Sequence, residues 1–283
     1  MRVPADPGSH KVAPSRSRIV RWSDLRLRVL SAVVLAPVAL GCLWFGSDAW
    51  VILVAVGGVG VGVEWAQLCG LSVRNVRGLV VPGVVLLAAA AAGQQGIAGL
   101  CLLAVGAYAV RLVARHEMAA LGVWYVGLGS VVLIWLRADA ASGRANVLFV
   151  VLIVWASDIG AYIVGRLVGG PRLAPSISPG KTWSGAVGGL VAAMASGWVA
   201  ATLLDPAGSA PPLVLLVAAA LGIASQAGDL LESGIKRHFG VKDSGRLIPG
   251  HGGLLDRVDG ILTAAPAAAL LALCAGRGVA LWR

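Results

Sequence analysis

Between Ser233 and Asp259 the chain reads SGIKRHFGVKDSGRLIPGHGGLLDRVD, a run dense in ionisable side chains and glycine. Two apolar stretches bracket it, PLVLLVAAALGIASQA at Pro212–Ala227 and ILTAAPAAALLALCAGRGVA at Ile261–Ala280. The whole protein, 283 residues long, is only 13% charged and 58% hydrophobic, whereas a soluble domain carries roughly a quarter charged residues. Charge crowded between two membrane-length segments is costly unless it binds something polar. The juxtaposition sets the expected class: an all-α, polytopic integral membrane protein whose chemistry lies in loops at one face.

Working outward, about 20 mostly apolar residues are needed to cross the hydrocarbon. Nine windows qualify: Val29–Phe45, Ala49–Cys69, Leu79–Ala92, Ile97–Val113, Ala119–Leu136, Asn146–Gly165, Trp183–Leu204, Pro212–Ala227 and Ile261–Ala280. The third is short, and a tilted pair with the fourth or a re-entrant segment is the alternative. With the N-terminus inside, 19 of the 23 Lys and Arg residues fall on the cytoplasmic side, the bias expected of cytoplasmic loops. Eight crossings would flip every later loop and spoil that bias. The expected organisation is a basic cytosolic tail (1–28) and one helical domain (29–283), with a catalytic region at about 155–260. The expected location is the cell's plasma membrane, multi-pass, with the active-site loops cytoplasmic.

Several classes drop out. The net charge of +10 is explained by the loop bias, so nucleic acid is not expected as a partner. Cys42, Cys69, Cys101 and Cys274 stand singly in apolar stretches, so neither a zinc site nor a disulfide framework is supported. Neither GxxxxGK[ST] nor a Rossmann GxGxxG is present.

The residues that carry chemistry gather in three places. In Ser225–Phe239, SQAGDLLESGIKRHF, read as a helix leaving the membrane, Asp229, Glu232 or Ser233, and Lys236 share one face. Gly240–Gly253, GVKDSGRLIPGHGG, interleaves glycines with Lys242, Asp243, Arg246 and His251. Glycine lets backbone amides approach a phosphate, and the cations neutralise it; a flexible linker is the bland alternative. LDRVDG then opens the last helix with Asp256 and Asp259 three residues apart. They can cap that helix or hold Mg²⁺, which takes oxygen ligands from one or two carboxylates plus phosphates, with Asp229 folding back to join them. Upstream, WASDIGAYIVG places Asp158 inside an apolar segment, where a carboxylate is a functional candidate by default. LAPSISPGKTWSG places Lys181 and Thr182 at a helix start suited to phosphate or to interfacial anchoring.

The 233–259 run resembles, position by position, the signature of the phosphatidate cytidylyltransferases, the CDP-diacylglycerol synthases. WASDIGAYIVG and ISPGKTWSG are similar to two weaker motifs of that family. The resemblance covers Trp155 to Gly260. It implies an integral membrane enzyme that transfers CMP from CTP to phosphatidate, releasing pyrophosphate and CDP-diacylglycerol, with Mg²⁺ as cofactor and a monovalent cation such as K⁺ assisting. It implies metal carboxylates at Asp229 and Asp256, with Asp259 and Asp158 as further candidates. Lys181, Lys236, Arg237, Lys242 and Arg257 would contact substrate phosphates, with Ser225, Ser233 and Arg246 beside them, while Asp243 and His251 organise the loop. The implied partners are CTP, phosphatidate and membrane lipid, with room for a homodimer. One position departs: where the family pattern reads KTWEG, this chain has Ser184. Three other classes compete. A transporter for an anionic substrate would place its charges near the midplane in internal repeats. A CDP-alcohol phosphotransferase would carry DGxxAR…GxxxDxxxD, which this chain lacks. A lipid kinase using CTP is the nearest mechanistic neighbour.

Overall fold

Apolar windows separated by residues that cannot continue a helix become separate helices. The computed structural model describes residues 22–204, 212–245, 247, 252–276 and 279–283. Among them are α1 (Trp22–Phe45), α2 (Ser47–Leu68), α3 (Val76–Gln94), α4 (Gly96–Ala114), α5 (Glu117–Arg137), α6 (Gly143–Val168), α7 (Trp183–Leu204), α8 (Leu213–His238) and α9 (Leu255–Ala275). From α2 onward, all eight helices are long and apolar enough to cross a membrane. The protein is thus an all-α, multi-pass membrane protein. Exposed Val191, Leu203, Leu216 and Leu270 on its perimeter offer an apolar face to lipid.

Chain breaks sit where the backbone leaves helical space. Gly46 and Gly169 take positive φ at 66° each, a conformation that glycine adopts without steric cost. Gln95 is extended between α3 and α4, so the short third window is a full helix of 19 residues, long enough to span without pairing with its neighbour. Helix α1 starts at Trp22, earlier than the expected Val29, and the rest of the basic tail lies outside the described residues.

The expected loop 166–182 is partly ordered as strand. β1 (Arg172–Ala174) and β2 (Ser178–Thr182) form an antiparallel hairpin pairing Arg172 with Thr182 and Ala174 with Ser178. Its strands are too short and too rich in proline to show a period in sequence.

Consecutive helices pack on one another from α2 to α5 and again from α6 to α9, and α5 against α9 joins the two groups. Close approach depends on small residues: Gly165 and Gly185 face each other across α6 and α7, and a Cβ on Gly165 would stand 3.3 Å from the Gly185 Cα. Such crossings bring backbones together without a hydrophobic driving force. With helices alternating in direction, the C-termini of α2, α6 and α8 and the N-termini of α5, α7 and α9 meet at one end, beside the hairpin.

Candidate active site

That end of the bundle collects the charge. Asp229, Glu232 and Lys236 follow one another along a face of α8, which continues without a break from its apolar half to His238. Helix α9 starts at Leu255 and places Asp259 against them. One carboxylate oxygen each from Asp229, Glu232 and Asp259 lie within 4.8 Å of one another. Glu232 is 1% exposed, and its Oε1 has no hydrogen-bond partner among the described residues.

Two lysines partly offset the negative charge. Lys236 Nζ stands 2.7 Å from Glu232 Oε2 and 2.7 Å from Asp256 Oδ1. Lys181, at the end of β2, pairs with Asp229. Asp158 on α6 feels the charges of both Asp229 and Lys181. Five carboxylates (Asp158, Asp229, Glu232, Asp256 and Asp259) therefore face two lysines, and with all ionised a surplus of three negative charges remains. The three clustered carboxylates, with Glu232 buried among them, are like charges that a cation would offset. Oxygen ligands of this kind, one with an unused buried atom, suit a hard divalent ion such as Mg²⁺.

Asp256 adjoins that trio, sharing Lys236 with Glu232. Its Oδ2 accepts the Ser244 amide at 3.1 Å and the Gly253 amide at 2.9 Å, while Oδ1 takes Lys236. Asp256 thereby joins the loop at Ser244 to the turn before α9, beside the Asp229, Glu232 and Asp259 group. Thr182 Oγ1 accepts the Gly185 amide at 3.1 Å and so caps α7 directly after Lys181. Ser184, where the family pattern has a carboxylate, donates to the Gly169 carbonyl and ties the hairpin to the end of α6.

The remaining expected residues scatter. Arg237 donates to the carbonyls of Ile177 at 3.2 Å and Val241 at 3.0 Å, locking the hairpin onto α8. Ser225 is fully buried where α8 crosses α9, facing Gly260. Ser233 is buried as well. Lys242, Asp243 and Arg257 are exposed around the loop mouth. Arg246 and His251 lie outside the described residues.

Two groups from the first half of the chain enter unannounced. The Tyr125 hydroxyl on α5 is buried without a hydrogen-bond partner among the described residues, in the field of Asp259, Glu232 and Asp229. Glu64 on α2, 1% exposed, reaches the loop and the start of α9. Its only sequence signal was a lone carboxylate in an apolar window, the same signal that singled out Asp158.

A family model described as the cytidylyltransferase family matches residues 26–275. The chain belongs to that family. It is 39% identical over 254 residues to the phosphatidate cytidylyltransferase of Brucella suis biovar 1 (strain 1330), covering 86% of this chain and 91% of that protein. It is 35% identical over 269 residues to the phosphatidate cytidylyltransferase of Pseudomonas aeruginosa, covering 90% and 99%. Over the half of the chain matched by the phosphatidate cytidylyltransferase of Staphylococcus saprophyticus, the identity is 47%. The family match takes in the first five helices, which lie outside the Trp155–Gly260 stretch that carries the resemblance.

Proposed function

We propose that this cytidylyltransferase transfers CMP from CTP to phosphatidate at the α8–α9 cluster, giving CDP-diacylglycerol and pyrophosphate. The observation that carries it is the convergence of Asp229, Glu232 and Asp259 beside Lys181 and Lys236 at the mouth of a membrane bundle. Phosphatidate brings its own nucleophile, a phosphate oxygen. A bond forms from that oxygen to the α-phosphorus of CTP, the α–β bridging bond breaks, and the electron pair leaves with pyrophosphate. The protein's work is then positioning and charge neutralisation.

Asp229, Glu232 and Asp259 would hold Mg²⁺, which when bound offsets charge on the α-phosphate. The surplus of three negative charges equals one divalent and one monovalent cation, which leaves a place for K⁺. Lys181, 26% exposed where it pairs with Asp229, is free to exchange that carboxylate for a substrate phosphate. Lys236, 12% exposed between two carboxylates, keeps α8 and α9 in register. Lys242 and Arg257 flank the mouth where a nucleotide triphosphate would enter. The loop bias of Lys and Arg supports a cytoplasmic site, supplied with CTP, in the cell's plasma membrane. All five carboxylates and both lysines come from one chain, so the chemistry does not require a homodimer.

Purified protein, phosphatidate vesicles, Mg²⁺ and CTP labelled at the α-phosphate form the test. Label should pass to the lipid, matched by pyrophosphate. Transfer of the γ-phosphate instead would mark a lipid kinase and overturn the proposal.

A further inference from the structure

Glu64 belongs to the half of the chain that carries no motif, yet its carboxylate meets the signature loop at both ends. Oε1 accepts the Leu254 amide at 2.9 Å, and Oε2 accepts the Leu255 amide at 2.9 Å and the Ser244 hydroxyl at 3.2 Å. Leu254 and Leu255 stand at the start of α9, whose first amides have no partner within the helix. A carboxylate there is also favoured by the helix dipole. Glu64 therefore caps α9 from a different helix and, through Ser244, pins the segment that leads away from Asp243.

The loop is shaped around this carboxylate. A Cβ on Gly245 would come within 2.6 Å of Glu64 Oε1, and one on Gly253 within 2.8 Å of Oε2. Neither glycine takes a positive φ, so close packing and not turn geometry explains the missing side chains: on Glu64 at Gly245, and on the Ser244 hydroxyl and Glu64 at Gly253. Asp256 completes the arrangement from within α9 by accepting the Ser244 and Gly253 amides. Two carboxylates thus grip the same two points of the loop, one from each half of the protein.

We infer that Glu64 is a positioning residue for cytidylyl transfer: by latching Ser244 and the first turn of α9, it fixes Asp259 relative to Asp229 and Glu232. The inference rests on the transfer site proposed above. A displacement of α9 by about 1 Å is enough to cost on the order of 100-fold in rate.

The test compares full-length wild type, Glu64→Gln, Glu64→Ala, Ser244→Ala and the double variant Glu64→Gln/Ser244→Ala in lipid nanodiscs. The readouts are kcat, KM for CTP, the Mg²⁺ concentration at half-activity, and hydrogen exchange over 240–260. Glu64→Ala should lower kcat about 100-fold and Glu64→Gln about tenfold, each raising the Mg²⁺ half-saturation and speeding exchange in 240–260. Ser244→Ala should slow the wild type several-fold yet add nothing to Glu64→Gln, because the two share one latch. Asn146→Ala is the structural control, since Asn146 accepts the Leu281 amide at 2.9 Å toward the opposite end of α6. It should lower thermal stability and leave the Mg²⁺ half-saturation alone. Glu64 variants that behave like this control, or effects of Glu64 and Ser244 that simply add, would overturn the latch. Should Glu64→Ala not insert, Glu64→Gln and Ser244→Ala carry the comparison. If the wild type itself makes no CDP-diacylglycerol, the proposed function falls; unchanged exchange over 240–260 in the Glu64 variants would sink the latch separately.

Discussion

A carboxylate taken out of water by packed helices must be matched by a proton, a cationic side chain or a metal ion. Asp256 is matched by Lys236 and two amides, whereas Asp229 has a lysine that remains partly accessible. The two lysines should therefore differ when removed. Lys236→Met strands Glu232 and Asp256, 1% and 11% exposed, and should cost about 3 kcal/mol of stability, read as a lowered thermal midpoint. Lys181→Met should leave that midpoint nearly unchanged while lowering the transfer rate by about 100-fold or more. The reactive side chains were legible to the extent that they stood close in sequence or broke an apolar run: Asp158, Lys181, Asp229, Lys236 and Asp259 all did. Glu64 also broke an apolar run, but its role was not legible, because its partner Ser244 is 180 residues away and a lone charge in a helix does not name what it touches. The contacts of Asp256 were hidden for a related reason. Spacing puts it near Asp259, but only the fold shows Gly253 and Ser244 filling its oxygens.

At the scale of elements, the site depends on how closely α8 approaches α9. A Cβ on Gly228 would strike Thr263 Oγ1 and come within 2.8 Å of the Asp259 carbonyl. Gly228→Ala should push the helices apart beside Asp229, costing about 1–3 kcal/mol in overpacking strain and activity along with it. Alanine is the better helix former, so a rise in thermal midpoint would show that the crossing is looser than described. The helices were readable from apolar length and from the glycines and polar residues between them. The third window, with its margin of only a few residues, needed the extended Gln95 to show a separate span. The hairpin 172–182 was unreadable because Pro175 and Pro179 mask strands of 3 and 5 residues, whose order comes from pairing and from Arg237 on α8.

For the whole molecule, alternating helices carry every charged group of the site to one end, and the proposal that this end faces the cytoplasm rests on the Lys/Arg bias. In a cysteine-free background, a cysteine at Arg172 should react with a membrane-impermeant maleimide in inverted vesicles and resist it in intact spheroplasts. A cysteine at Asp139, between α5 and α6, should do the reverse. The reverse pattern at both positions would turn the protein over. The central claim is that residues from two helices, joined by this topology, build one divalent-ion site, and it is tested most directly by binding Mn²⁺, a spectroscopic substitute with the same preference for oxygen. Electron paramagnetic resonance of the purified protein should show a tight Mn²⁺ site that is lost in Asp229→Asn, Glu232→Gln and Asp259→Asn. A tight site that survives all three substitutions would contradict the account.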